Sequence, residues 1–200
     1  MTFTDTQRAD LAAPLNRDHV AQRKQGGGNV SYIEGWHAIA EANRIFGFDG
    51  WTRETVELKL LGEPRSVDGK ARVEYLARVR ITAGGVIRDG SGFGQGIDKD
   101  VGQAHESALK EAETDAMKRA LMTFGNPFGL ALYDKTQSNV ADPVLETTQR
   151  MLDAIKSAAD TKALYEWKAL NGAMVNASPD KRTIAAAFAA RENELKKEAA

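Results

Sequence analysis

ARVEYLARVRITAGGVIRDGSGF occupies residues 71–93. In its first half Val73, Tyr75, Ala77, Val79 and Ile81 alternate with Arg72, Glu74, Arg78 and Arg80, and only Leu76 breaks the pattern. A period of two predicts a strand with one apolar and one polar face. Gly84-Gly85 then marks a turn, and Val86 to Phe93 reads as a glycine-rich strand. Upstream, Val56, Leu58 and Leu60 alternate with Thr55, Glu57 and Lys59, and Asp68-Gly69 supplies the intervening turn. Three strands in succession with short turns form an antiparallel meander, and its apolar face needs a cover.

The cover follows in the chain. Over 101–124, Ala104, Ala108, Ala112, Ala116 and Ala120 recur every four residues, flanked by Leu109, Leu121 and Phe124. Such a row predicts a helix that lies close on a sheet. Glu106 with Lys110 and Asp115 with Arg119 are favourable i,i+4 pairs on it. Gly125-Asn126-Pro127 stops it. Before the strands, Glu34 to Phe46 has helical spacing through Trp36, Ile39, Ala40, Asn43 and Phe46, with Gly47 as its stop. The fold class is α+β: a three-stranded meander packed on a long helix, in the order α-β-β-β-α.

The flanks read differently. Residues 1–14 are polar and irregular up to Pro14, which predicts a disordered N-terminus. Asn16 can cap a short helix over 17–25, ended by Gly26-Gly27-Gly28. Residues 15–135 are expected to form the main domain and 136–143 a polar linker. The segment 144–200 is rich in helix formers. Pro143 can open a first helix carrying Leu152, Ile155 and Ala159. Asp160 can cap a second carrying Leu164, Trp167 and Leu170 and stopping at Gly172, and Ser178-Pro179 opens a third. This is a helical C-terminal extension.

The totals exclude several classes. Two hundred residues with 42% hydrophobic and 28% charged content suit a packed soluble domain with an appendage. There is no cysteine, hence no disulfide and no thiolate metal site. No apolar run approaches the ~20 residues of a membrane span, and the N-terminus lacks an apolar signal core. The net charge of −1 argues against a general polyanion binder but permits a focused basic groove.

Four constellations compete as sites. GSGFGQG (90–96) resembles a nucleotide loop only superficially, since no GxxxxGK motif followed by Ser or Thr occurs and the neighbours form a meander. A strand that lets another backbone approach closely is the better reading, and it disfavours ATP-driven chemistry. Glu106, Glu111, Glu113 and Asp115 are the groups a metal-dependent nuclease would use, but salt pairing on a solvated face accounts for them too. His19, His37 and His105 have no metal-ligand spacing, so no metal, cofactor or catalytic residue is expected. Lys110, Thr114, Lys118 and Met122 share one helical row with Arg119 beside it, and the two lysines stand about 12 Å apart at 1.5 Å per residue. Arg17, Arg23 and Lys24 precede the triple glycine and Tyr32 follows it. Basic groups and an aromatic near flexible backbone can grip single-stranded nucleic acid, although solvated charge is the commoner meaning of such residues.

Two stretches carry a resemblance. RKQGGGNVSYIEGWHAIAEANRIFGFDGW (23–51) is similar to the opening signature of the Rad52 family of single-strand annealing proteins, and ALKEAETDAMKRALMTFGNPFG (108–129) to its second. The resemblance covers about residues 15–135, and the tail from 141 is outside it. The resemblance implies subunits assembled side by side into a homo-oligomeric ring. A groove around the ring would hold single-stranded DNA by its backbone and anneal complementary strands without ATP, in recombination and repair. Its inner DNA site would use Arg23, Tyr32, Lys118 and Arg119. Its outer or supporting positions would be Lys70 and Lys99, with Lys110, Arg17 and Lys24 as further basic candidates. Two departures stand out: Met122 occupies a position that is often basic in the family, and the loop after the triple glycine is one residue shorter.

The functional expectation is therefore a non-enzymatic annealing protein. A metal-dependent nuclease is the alternative, as is a recombination scaffold. A single-strand-binding protein or an exonuclease is the partner expected of residues 141–200. The short form and lack of targeting signals suggest a bacterial or phage origin and a cytoplasmic, nucleoid-associated setting.

Overall fold

The computed structural model describes residues 2–198. Met1, Ala199 and Ala200, at the outer ends of the expected N-terminal and helical segments, lie outside the described residues. The chain divides into two compact units, Met1–Ala141 and Asp142–Ala200.

In the first unit, β4 (Trp51–Leu60), β6 (Lys70–Ala83) and β7 (Val86–Asp98) form the antiparallel meander with β6 central, and the short β5 (Arg65–Val67) pairs with the start of β6. The helix α3 (Val101–Met122) lies across it. Val73, Ala77, Val79, Ile81 and Ala83 of β6 are buried beneath it, as the alternation predicts. The upstream strand is less regular than its sequence suggests. A bulge between Thr55 and Glu57 changes the phase, so Arg53 and Thr55 before it and Leu58 and Leu60 after it share the face paired with Ile81, Val79, Ala77 and Tyr75.

The closest packing falls on the glycine strand. Gly90, Gly92, Gly94 and Gly96 alternate along β7, all buried, and Ala104, Ala108, Ala112, Ala116 and Ala120 of α3 are fully buried opposite them. A Cβ at Gly94 would overlap the Ala108 carbonyl and the Ala112 amide, and one at Gly92 would overlap Ala116 and Ala112. The stretch that looked like a nucleotide loop is thus the seat of the helix. Asp100 caps α3 by accepting from the amides of Gly102 and Gln103.

The segment before the meander departs from expectation in three places. Residues 5–12, inside the stretch expected to be disordered, form α1 (Asp5–Ala12), closed by a Thr4–Gln7 capping box. Phe3 stacks on Phe46 at 5.6 Å and meets Phe124 edge-on, and Leu11 is buried. A short strand, β1 (Leu15–Asn16), pairs in parallel with β8 (Val140–Ala141), so the start and end of the unit meet. The helix expected over 17–25 is a single 3-10 turn at Arg17–His19, capped by Asn16, followed by a hairpin of β2 (Ala21–Gln25) and β3 (Gly28–Tyr32). Its two-residue turn has Gly26 at φ +58° and Gly27 at φ +83°, the left-handed geometry that favours a hairpin over a helix.

In α2 (Gly35–Phe46) the buried face is His37, Ala38, Ala42, Ile45 and Phe46, while Trp36 and Ile39, expected on it, are exposed. Gly47 ends the helix at φ +86°, as anticipated.

The second unit holds α4 (Pro143–Ser157), α5 (Thr161–Ala177) and α6 (Lys181–Glu198) around Met151, Ile155, Leu164, Ile184, Phe188 and Leu195. Asp142 and Asp160 cap the first two helices. Four expectations fail here. Ala159 lies beyond the end of α4 and is exposed. α5 runs through Gly172 to Ala177, and Leu170 is exposed rather than buried, because the core face passes through Leu164 and Val175. α6 opens at Lys181, beyond the Ser178-Pro179 pair expected to start it.

Candidate nucleic-acid interface

The site begins with hairpin register. Ala21 pairs with Tyr32 and Arg23 with Val30, so Arg23 and Tyr32 share one face of the hairpin as diagonal neighbours. Lys24, one residue on, points from the opposite face. The last turns of α3 bring Asp115, Lys118, Arg119 and Met122 up to the Arg23–Tyr32 face, and the segment after Pro127 closes the remaining side with Gly129, Leu132 and Tyr133. The result is an open cleft of about 370 Å³.

Tyr32 is its hub. The Arg23 guanidinium carbon is 5.4 Å from the centre of the tyrosine ring, and the Lys118 ammonium is 5.5 Å from it. Both distances lie within cation–π range, so one aromatic ring holds two cations that would otherwise repel. Lys118 also donates to the Ile33 carbonyl at 3.4 Å. Arg119 donates to Asp115 at 2.9 Å, which holds its pKa above the usual arginine value.

Lys118 is half-buried, and burial is the main force pushing its pKa down. Arg23 and Arg119 push the same way, whereas Asp115 pulls it up. Three cations thus face a single carboxylate in a chain whose overall charge is −1. An anion placed in the cleft relieves that imbalance, and the geometry suits a phosphate.

The supporting basic residues do not join this cleft. The strand register ends at Ala71↔Asp98, with Lys70 just before the stretch of β6 paired with β7 and Lys99 in the bend just after β7, both exposed. They lie at the N-terminal end of α3, about 25 Å from Lys118 along the helix axis. Lys110 is engaged by Glu106 midway along α3, and Arg17 sits exposed in the 3-10 turn before the hairpin.

Two residues of the cleft escape the sequence reading. Tyr133 is 66% exposed beside Arg119, and Leu132 adjoins it. The only signal was an aromatic in LALYDK, just beyond the second signature.

The carboxylates that a nuclease would use are occupied. Glu111 accepts from the Gln95 amide, Glu113 from Thr55, Glu106 from Lys110 and Asp115 from Arg119. No cluster of three His, Asp or Glu side chains among the described residues is arranged to hold a metal. The rings of His19 and His37 lie 4.1 Å apart, tilted by 38°, and burial pushes the His37 pKa down. No helix among the described residues is long and apolar enough to cross a membrane.

Fold and site define an α+β protein in which an antiparallel sheet carries a long helix that ends in a cationic, tyrosine-centred cleft. Residues 4–150 match the model of the Rad52/22 family of double-strand break repair proteins, and the chain belongs to that family. The match extends beyond 15–135 at both ends and takes in α1 and the first half of α4. Among its relatives is the DNA repair and recombination protein rti1 of Schizosaccharomyces pombe, 38% identical over 66% of this chain and 38% of that protein. The RAD52 protein of Saccharomyces cerevisiae is 41% identical over 78% of this chain and 35% of that protein, and that of Eremothecium gossypii is 38% identical over 72% and 34%. The chain spans about a third of the length of these curated relatives. They are fungal, and they lend no support to the expected bacterial or phage origin or nucleoid setting.

Proposed function

We propose that this chain binds single-stranded DNA along its phosphate backbone and anneals complementary strands without ATP, in recombination and repair. The observation that carries this reading is the convergence of Arg23, Tyr32, Lys118 and Arg119 in one cleft with a single opposing carboxylate. The relatives' description as DNA repair and recombination proteins supports the same reading.

Mechanistically, guanidinium and ammonium groups bind phosphate with salt-sensitive, sequence-independent affinity. A strand held by its backbone leaves its base edges free to meet a complement. One cleft offers few charges, so a ring of subunits would multiply weak sites into avidity. Lys70 and Lys99, next to the last paired residues Ala71 and Asp98 near the start of α3, are proposed as the outer contact for the second strand. The reaction makes and breaks no covalent bond, so the chain is read as a non-enzyme. The helical unit from Asp142 onward is proposed to recruit a partner such as a single-strand-binding protein or an exonuclease.

The test is annealing of two labelled complementary oligonucleotides by the purified chain, with nucleotide omitted and divalent metal chelated. Duplex should form faster than without protein, and Arg23→Ala with Lys118→Ala should abolish the acceleration. Strand cleavage on adding Mg²⁺, or acceleration that needs ATP, would contradict the proposal.

A further inference from the structure

A second concavity lies wholly within the helical unit, between α5 and α6, and spans about 560 Å³. Its floor is apolar: Trp167, Val175, Ile184 and Phe188, the last two buried. Its depth has a sequence cause. Gly172 on α5 and Ala185 and Ala189 on α6 stand where larger side chains would fill the space between the helices. A Cβ at Gly172 would meet nothing within 4 Å.

The rim is cationic. Lys168 marks one end, and Lys181 and Arg182 the other, all exposed. Glu192 is the only acid on the lining, and it is already engaged by Lys196 and by the Tyr165 hydroxyl. Among the described residues the unit's other ion pairs fall elsewhere, on Arg150–Glu146, Lys162–Glu166 and Arg191 with Glu194 and Glu198. The Lys168 ammonium lies 4.9 Å from the centre of the Phe188 ring, at the edge of the apolar floor. The unit as a whole carries as many acidic as basic residues, so the positive bias belongs to this groove.

We infer that this groove docks a short acidic segment of a partner protein, one that presents a bulky apolar side chain between carboxylates. The apolar anchor would cover the Ile184–Phe188 floor, and flanking carboxylates would reach Lys168 at one end and Lys181 and Arg182 at the other. Charge complementarity selects such a segment over a basic or neutral one, and a preformed apolar pocket between cations supplies both halves of its recognition. The inference rests on the reading of the helical unit as a recruiter, and it locates the contact on that unit.

The experiment selects a random short-peptide display library on the full chain and measures the enriched peptides, labelled, by fluorescence anisotropy. Enriched sequences should share Asp or Glu around a Phe, Trp or Leu. Their affinity should fall with salt, and should drop by roughly tenfold or more in Gly172→Leu, which fills the groove, and in Lys168→Glu with Arg182→Glu. Circular dichroism should report an unchanged fold in both variants. No enrichment, enrichment of non-acidic peptides, or undiminished binding to both variants would overturn the inference. Displacement of the peptides by single-stranded oligonucleotide would assign the groove to DNA and overturn it as well. Deleting Asp142–Ala200 separates the two readings. If partner binding is lost on deletion yet persists in the groove variants, the unit recruits through another surface.

Discussion

At the scale of single residues, Lys118 explains most about the cleft. Its ammonium is half-buried, near the Tyr32 ring and the Ile33 carbonyl, with Arg23 and Arg119 close by. Burial and both arginines lower its pKa, so its charge is lost as pH rises through a value below the ordinary lysine range. Bound phosphate favours the charged form and raises that pKa, so binding in this window takes up a proton. Single-strand affinity should therefore decline on the alkaline side while the arginines remain charged. Lys118→Arg should move that decline to higher pH, as read from affinity measured across a pH series. Met122 offers the converse test. It lines the cleft without a charge, so Met122→Arg should tighten single-strand binding and steepen its log–log salt slope by about 0.7, the value of one added phosphate contact. An unchanged slope would place that position outside the strand's path. That Arg23, Tyr32, Lys118 and Arg119 belong together is legible in sequence because two motifs carry them, and the structure brings them into one cleft. The burial of Lys118 was not, because it depends on a carbonyl 85 residues away.

At the scale of elements, the unit depends on how closely α3 approaches β7. Alternating glycines on the strand face a four-residue alanine row on the helix, and backbone meets backbone. Gly94→Val should lower the melting temperature by several degrees or more, since overpacking a tight interface costs about 1–3 kcal/mol or beyond. A thermal melt unchanged from the parent would mean that the helix seats elsewhere. Both rows were readable as close-approach patterns from residue size and period alone. The hairpin was not. Leu15 and Val20 are the only large apolar residues in or beside 17–25, too few to set a period, and the choice between helix and hairpin rests on Gly26 and Gly27 both adopting positive φ. The N-terminal helix was missed for a related reason: Phe3 and Leu11 gain their meaning from Phe46, Phe124 and Gly125, far along the chain. The exposed face of α2 was misread because a spacing of three and four fits more than one face of a helix.

At the scale of the whole molecule, the two units have separate apolar cores, one spanning α1 to β8 and one among α4 to α6. A chain ending at Ala141 should therefore keep its fold by circular dichroism and retain single-strand binding. Loss of the fold would show that the cores depend on each other. The proposed ring adds a further expectation. If subunits share a strand, affinity should rise steeply with oligonucleotide length until the strand spans several clefts, whereas a monomer should level off after one. Nothing in a single sequence reports that multiplicity. The slightly acidic overall charge fits the proposed DNA binding because Arg23, Lys118 and Arg119 are concentrated around one carboxylate at the end of α3.

The most direct test of that concentration is the salt dependence of single-strand affinity for the parent chain, Lys118→Ala, Arg119→Ala and the double variant. The account predicts weaker binding in each single variant, by roughly tenfold, with the log–log salt slope flattened by about 0.7 for each phosphate contact removed and the fold intact. Affinity and slope unchanged in the double variant would contradict it.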